Sequence, residues 1–154
     1  MSANEFEQEV HFGLENLTRV RSNVIHIISQ DVDEIVRRSA LTYECFGYYN
    51  AFEHLILRFI KFLRREKPTG PFSHREALQA LDAMVTEYRV TMKPQTLRIC
   101  LELMAFRHVA TKIYGFLIDE AKLAVIVGRI VDSHDSIVSL VEDLLREVLQ
   151  SNED

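Results

Sequence analysis

Four side chains that can bind anions or transfer protons interrupt an otherwise apolar segment near residue 110. They are Arg107, His108, Lys112 and Tyr114. Arg107 and Lys112 are offset by roughly 140° on an ideal helix, but two long cationic side chains can still converge on one phosphate. The spacing therefore leaves two interpretations open, an ordinary helix surface and a site for a phosphate or a carboxylate.

A second group of cations follows an aromatic stretch. Arg58, Lys61 and Arg65 recur at positions i, i+3 and i+7, which predicts that they share one helical face. Such a face could bind an RNA backbone. Cations are also favoured at the C-terminal end of a helix by its dipole, so a solvated helix end is the alternative.

Other kinds of site have little support. The sequence holds no P-loop, GxGxxG, HExxH or EF-hand loop, and we expect neither a metal nor a cofactor. A metal-binding bundle would rest only on Glu53, His54 and His74, and no ExxH pair recurs on two helices as di-iron bundles require. His134, in a polar run, is expected to be solvated and structural.

Five predicted helices position these residues. Apolar residues three or four apart indicate a first helix over Glu5–Ser29. Asp31 and Glu34 resemble a capping box that opens a long second helix, Ser73 and Glu76 match a capping box for the third, and Pro94 suits the first turn of the fourth.

We expect the fourth helix to end near Gly115, as a left-handed terminator, and the fifth to cover Glu120–Gln150, followed by a frayed acidic tail. Short connections between helices predict an all-α antiparallel bundle in a single domain, residues 1–154.

Composition limits the function further. With 18 Lys and Arg against 23 Asp and Glu, the net charge is −5, which argues against coating nucleic acid by bulk charge. Cys45 and Cys100 are isolated in apolar sequence, so buried, reduced thiols are expected. No apolar run is long enough for a membrane span, and the acidic N-terminus is unlike a secretory signal. We expect a cytoplasmic protein that does not enter membranes.

Aromatic residues are concentrated on the second predicted helix and occupy more than one of its faces. They are Tyr43, Phe46, Tyr48, Tyr49, Phe52, Phe59 and Phe62. One interpretation is a central helix that is covered on most sides. The other is that part of this surface forms a dimer interface, where Tyr and Phe are enriched.

Three segments in order resemble the HepT-like ribonuclease toxins of the HEPN superfamily. Residues 106–116 resemble the motif Arg, polar residue, three residues, His, one residue, Tyr. The stretch Tyr48–His54 is similar to the aromatic and Glu-containing part of the family's second helix, and Ser73–Glu76 to the start of its next one.

The resemblance implies a helical homodimer that brings two motifs to one cleft, and a metal-independent endoribonuclease. It implies that Arg107 holds the phosphate and that a histidine transfers protons for attack by the 2′-hydroxyl. Family members are paired with a minimal nucleotidyltransferase antitoxin that modifies the motif tyrosine with AMP, and Tyr114 occupies that position. His108 fills the polar position after the arginine.

The sequence departs from the motif where the catalytic histidine is expected, because Lys112 stands there. A lysine is charged at neutral pH and is a poor base, although it could bind phosphate or protonate a leaving oxygen. Three interpretations stay open: an RNA-binding protein that has lost cleavage, a nuclease with lysine in an altered role, and an engineered inactive variant. His108 is a further candidate base.

A different class of function is a non-catalytic helical dimer that acts as a protein-interaction module and binds a nucleotidyltransferase without RNA.

Overall fold

The chain folds into five α-helices and a short 3-10 turn in its computed structural model, which describes residues 1–153. The elements are α1 (Ala3–Ser29), α2 (Glu34–Phe62), α3 (Ser73–Glu87), α4 (Pro94–Ala110), the 3-10 turn (Gly115–Leu117) and α5 (Glu120–Glu153). No strand occurs among residues 1–153. The predicted all-α class is confirmed.

Helix α1 is amphipathic and begins at a capping box. The Ser2 hydroxyl accepts a hydrogen bond from the Glu5 backbone N–H at 3.1 Å, and the Glu5 carboxylate accepts one from the Ser2 N–H at 2.9 Å. Its buried side chains are three, four or seven residues apart, which places them on one face, and they pack mainly against α2. They are Phe6, Val10, Leu14, Leu17 and Val24.

Helix α2 is the central element and contacts every other helix and the 3-10 turn. Its buried residues lie on most of its sides, and Tyr48, Tyr49 and Phe52 are fully buried. Most of the aromatic residues of this helix therefore belong to the core. Two lie outside the core: Tyr43, because 73 % of its surface is exposed, and Phe46, which is half-buried.

At two helices the predicted N-terminal capping residue is wrong. Asp33, and not Asp31, caps α2, because its carboxylate accepts the Ile35 N–H at 2.9 Å. At α3 the capping residue is Phe72 and no side chain caps the helix, so Ser73 lies one residue inside the helix and does not form the predicted capping box.

Helix α4 ends earlier than the sequence predicts. It stops at Ala110, with Thr111 as its C-cap, and Gly115 begins the 3-10 turn with no left-handed conformation. Gly115 permits a close approach instead: a Cβ there would lie 3.3 Å from the Ser39 Cα, a tight contact. The turn is held further by the Arg38 guanidinium, which donates to the Phe116 carbonyl at 3.0 Å.

In helix α5 the structure differs from the sequence prediction in the exposure of one histidine. His134 is buried, with 4 % of its surface exposed, and is not solvated as expected. The helix also continues to Glu153, so the tail is helical there; Asp154 lies outside the described residues. Cys45 and Cys100 are buried free thiols, as predicted, and burial raises the pKa of each to about 12. Within residues 1–153, every helix is too short or too polar to cross a bilayer.

Candidate functional site

Arg107 is fixed against α2 at the C-terminal end of α4. Its Nε donates to the Asn50 side-chain oxygen at 2.7 Å, and its guanidinium carbon lies 5.2 Å from the centre of the Phe46 ring, in cation–π geometry. The side chain is half-buried. Among residues 1–153 only Nε forms a hydrogen bond, so the remaining guanidinium N–H groups can bind an anion in two-point fashion.

One face of α2 carries the groups next to Arg107. Phe46, Asn50 and Glu53 follow each other at i, i+4 and i+7, so they form a single row along the helix. One turn beyond Asn50, the Glu53 carboxylate lies 2.6 Å from the Nδ1 atom of His74, which projects from the first turn of α3. The row therefore joins the end of α4 to the start of α3.

The exposed part of α2 forms the floor of a groove, here called the α2 groove. Its first part lies between α1 and α2, has a volume of about 290 Å³, and includes Phe12 and Asn16 of α1 with Asn50 and His54 of α2. His54 and Arg58 also line a second, adjoining cavity of about 510 Å³. Asn50, which holds Arg107, thus stands at one end of the α2 groove.

The second cavity is strongly basic. Its cationic lining residues are Arg58, Lys61, Arg64, Arg65 and Lys67. Three of them were predicted to bind RNA on one helical face, but α2 ends at Phe62, so Arg65 lies beyond the helix. Its position in the cavity follows from the turn after α2, in which Arg64 adopts a left-handed conformation with φ of 54°.

Carboxylates neutralise part of this basic cavity. Arg58 pairs with Glu9 of α1 at 3.2 Å, and Arg65 pairs with Glu87 of α3. Lys61 is exposed and forms no ion pair within 4.0 Å among residues 1–153. Of the three predicted RNA-binding residues, Lys61 therefore has the most accessible charge.

The other motif residues lie outside regular helix or on its surface. His108 is exposed in the last turn of α4, and Lys112 is exposed in the turn that follows Thr111. The helical offset predicted between Arg107 and Lys112 therefore does not apply. Tyr114 has 71 % of its surface exposed, and its ring stacks on that of Phe116 at 5.6 Å.

The described residues contain no set of three or more His, Cys, Asp or Glu side chains placed to hold a metal ion. Glu53 contacts His74, whereas His54 is exposed and lines the α2 groove.

Sequence reasoning missed Asn50 and Phe46 as partners of Arg107. Both lie in the aromatic part of α2, and neither type is diagnostic of a site when it occurs alone. The signal was the one-turn spacing of Phe46, Asn50 and Glu53, which places two polar residues on a helix otherwise covered by neighbours.

Comparison with known proteins decides the family. A family model described as "HepT-like protein" matches residues 40–151, well over half of the chain. The chain belongs to the HepT-like family. No curated protein and no solved structure matches it.

The family match covers the polar row on α2, His74 and the whole Arg107–Tyr114 segment of this HepT-like chain. It leaves out α1, which supplies Glu9 and Phe12 to one wall of the α2 groove. The helical fold is consistent with the HEPN superfamily, and Lys112 remains a departure from the motif within the matched region.

Proposed function

We propose that this HepT-like protein is a metal-independent endoribonuclease and the toxin of a toxin–antitoxin pair. The observation that carries the proposal is the setting of Arg107, a half-buried guanidinium fixed by Phe46 and by Asn50. Asn50 lines one end of a groove that becomes basic at its other end. A fixed cation suits a scissile phosphate, and a basic groove suits the flanking RNA backbone.

In this proposal, Arg107 binds the phosphate and stabilises the charge that develops on it when the 2′-hydroxyl attacks. RNA is distinguished from DNA by that hydroxyl. Lys112 occupies the position of the motif histidine, and its ammonium group binds phosphate or protonates the leaving oxygen. His108 is exposed in the adjoining turn and is a second candidate for proton transfer.

The activity is tested with purified wild-type protein and a Lys112→His variant on a mixed cellular RNA pool, with a metal chelator present. We expect chelator-resistant cleavage by the wild type and faster cleavage by the variant, because histidine is the better proton-transfer group near neutral pH. Cleavage by the variant alone would mean that Lys112 disables a nuclease scaffold. If neither protein cleaves RNA, the enzymatic proposal fails.

The role of Arg107 is tested by RNA affinity. Arg107→Ala should weaken binding by about 10-fold or more, since a charge-assisted bond contributes about 1.5–3 kcal/mol. The matched control is Arg98→Ala, which removes an exposed arginine from the same helix and should bind as the wild type does. Unchanged affinity of the Arg107→Ala variant in a fluorescence anisotropy titration would contradict the assignment.

The proposal includes two partners, a second copy of the chain and a minimal nucleotidyltransferase antitoxin. Tyr114 supports the second, because its hydroxyl lies on a side chain that is 71 % exposed and beside the Arg107 segment. A transferase can reach such a phenol without unfolding the chain, so we propose Tyr114 as the site that receives AMP.

The second candidate function is a non-catalytic interaction module, and a separate surface favours it. An apolar groove of about 520 Å³ lies between the end of α4, the 3-10 turn and α5, and Val109, Leu117 and Val125 contribute to it while staying 48–59 % exposed. Exposed apolar grooves mark protein contacts. A stable complex with a nucleotidyltransferase, together with no RNA binding at low salt, would favour this function.

A further inference from the structure

We propose that Glu53 and His74 form the proton-transfer dyad of this site, with His74 Nε2 as the base that removes the proton from the ribose 2′-hydroxyl. The inference rests on the proposed ribonuclease function and gives the missing motif histidine a replacement from another helix.

The first argument is the geometry of the pair. The Glu53 carboxylate oxygen lies 2.6 Å from His74 Nδ1, and the Glu53 side chain is only 14 % exposed. A carboxylate accepts but does not donate, so Nδ1 carries a proton, and in the neutral ring it is Nε2 that holds the free lone pair. Carboxylates hold the base histidine of hydrolytic triads in the same way, and stabilise the ring once it is protonated.

The second argument is access. The His74 side chain is 37 % exposed, and its Nε2 has no hydrogen-bond partner among residues 1–153. A buried carboxylate thus orients a ring whose other nitrogen faces solvent, which a purely structural ion pair does not need. The exposed pair of His11 and Glu7 on α1, at 3.7 Å, lacks this arrangement because both its members are about half exposed.

The third argument is proximity to Arg107. Asn50, which holds Arg107, is one turn from Glu53 on the same face of α2. Tyr49, next to Asn50 in the sequence, packs near His74: its ring is fully buried and 6.4 Å from the His74 ring, and its hydroxyl has no hydrogen-bond partner of good geometry in the described residues. A buried hydroxyl without a protein partner is costly, and a catalytic site is one of the settings in which such a group occurs.

The pKa of the Tyr49 phenol depends on the charges of both Glu53 and Arg107. Burial raises the pKa of its phenol, the Glu53 carboxylate raises it further, and the charge of Arg107 acts in the opposite direction. The carboxylate of the dyad and the phosphate-binding guanidinium therefore both lie close enough to influence one buried hydroxyl.

The reaction step balances without a metal or a cofactor. His74 Nε2 takes the proton of the 2′-hydroxyl, the 2′-oxygen bonds to phosphorus, and the bond from phosphorus to the 5′-oxygen breaks. The leaving 5′-oxygen takes a proton from water, and the imidazolium returns its proton to water. The products are a 2′,3′-cyclic phosphate and a 5′-hydroxyl.

The test compares cleavage and affinity for a short single-stranded RNA. His74→Gln should lose at least about 100-fold in cleavage rate, the usual contribution of a general base, while its RNA affinity stays within about twofold of wild type. Glu53→Gln should lose about 10-fold or more. His11→Gln removes a histidine that is paired with a glutamate outside the site, and it should cleave as the wild type does.

A chemical rescue separates a base from a structural residue. Imidazole added to His74→Ala should restore cleavage in proportion to its concentration, because the free base can enter the space that the side chain leaves. A structural defect would not respond to imidazole. Wild-type cleavage by His74→Gln, or the absence of rescue in a folded His74→Ala protein, would overturn the dyad while leaving the ribonuclease function intact.

A measurement on the wild type keeps the proposal falsifiable if these variants do not fold. Titration with an RNA that carries a 2′-methoxy group at the scissile nucleotide should shift the ¹⁵N resonance of His74 Nε2, but not that of His11. Binding without this shift would overturn the dyad. If the wild-type protein neither binds nor cleaves RNA, the ribonuclease function fails, and the dyad fails with it.

Discussion

His134 is a buried histidine whose two ring nitrogens both meet hydroxyl groups. Nε2 lies 3.1 Å from the Thr18 hydroxyl and Nδ1 lies 2.9 Å from the Tyr48 hydroxyl. Thr18 donates its own proton to the Leu14 carbonyl, so it must accept from Nε2–H, and Tyr48 donates to Nδ1. The network is complete only when the ring is neutral, because protonation would turn Nδ1 into a second donor.

This network predicts a loss of stability in mild acid. Burial and, to a smaller extent, the charge of Arg21 lower the pKa of His134 against the opposing effect of Asp135. In the unfolded chain a histidine titrates near ~6.5. The unfolded state therefore binds a proton below this pH that the folded state resists, and the free energy of unfolding falls with decreasing pH, by up to ~1.4 kcal/mol per pH unit.

Urea unfolding at pH 7.5 and at pH 5.5 measures this effect. The wild type should lose more stability between the two values than His134→Gln, because glutamine does not titrate. His26→Gln removes an exposed histidine and should lose as much as the wild type. Equal losses in all three proteins would show that another group causes the acid sensitivity.

Arg107 and His134 show which features of a site can be predicted from the local sequence and which depend on how the helices pack. Arg107 was predicted as a phosphate ligand from a motif that is local in sequence, and this role stays a prediction; the structure shows that its partner is Asn50, which lines the α2 groove. The motif does not contain Asn50, Phe46 or the dyad, because these contacts depend on how α2, α3 and α4 pack. His134 was expected in solvent since its neighbours in sequence are polar, yet α1 and α2 cover that side of α5.

At the scale of the helices, Gly13 of α1 lies at a close helix–helix contact, whereas Gly128 of α5 does not. A Cβ at Gly13 would lie 2.4 Å from Leu55 Cδ2 of α2, whereas a Cβ at Gly128 would have no atom within 4 Å. Gly13 lets α1 approach α2 closely. Gly128 serves no contact and only weakens α5.

Gly13→Ala and Gly128→Ala should therefore change stability in opposite directions. We expect Gly13→Ala to lower the free energy of unfolding by about 1–3 kcal/mol through overpacking, and Gly128→Ala to raise it by about 0.5–1 kcal/mol through helix propensity. Chemical denaturation of the two variants and the wild type checks both signs. A stabilised Gly13→Ala protein would mean that Leu55 moves aside without cost.

All five helices were predictable, the first from its regular apolar periodicity and the others mainly from cap residues and from breaks at Pro and Gly, but the helix ends were not. The end of α4 matters most for the site. Thr111 ends the helix, and the approach of Gly115 to Ser39 holds the next turn on α2. This tertiary contact leaves Lys112 and Tyr114 on a connecting segment, and nothing in the local sequence indicates it.

At the scale of the whole molecule, an overall charge of −5 contrasts with the basic end of the α2 groove. RNA bound there must approach a negatively charged protein through one positive region. Binding should therefore weaken as salt increases, because cations of the groove displace counterions from the RNA.

Lys61→Ala should reduce the slope of log K against log salt by about 0.7, the value for one phosphate contact to a single strand. Lys93→Ala is the control, since Lys93 is exposed at the start of α4 and lines a different cavity. Anisotropy titrations at several salt concentrations give the slopes. An identical slope in Lys61→Ala and wild-type protein would place the RNA outside this cavity.

The central position of α2 has a consequence for the timescale on which the site forms. Because α2 contacts every other element, we expect the backbone amides around Asn50 and Glu53 to be among the slowest to exchange with solvent deuterium, through global rather than local unfolding. Residues 111–114 are exposed between α4 and the 3-10 turn, so their amides exchange through local opening. If RNA binds as proposed, the floor of the groove is already ordered and little binding free energy is spent on ordering it, whereas the exposed segment with Lys112 and Tyr114 has fewer contacts that restrict it.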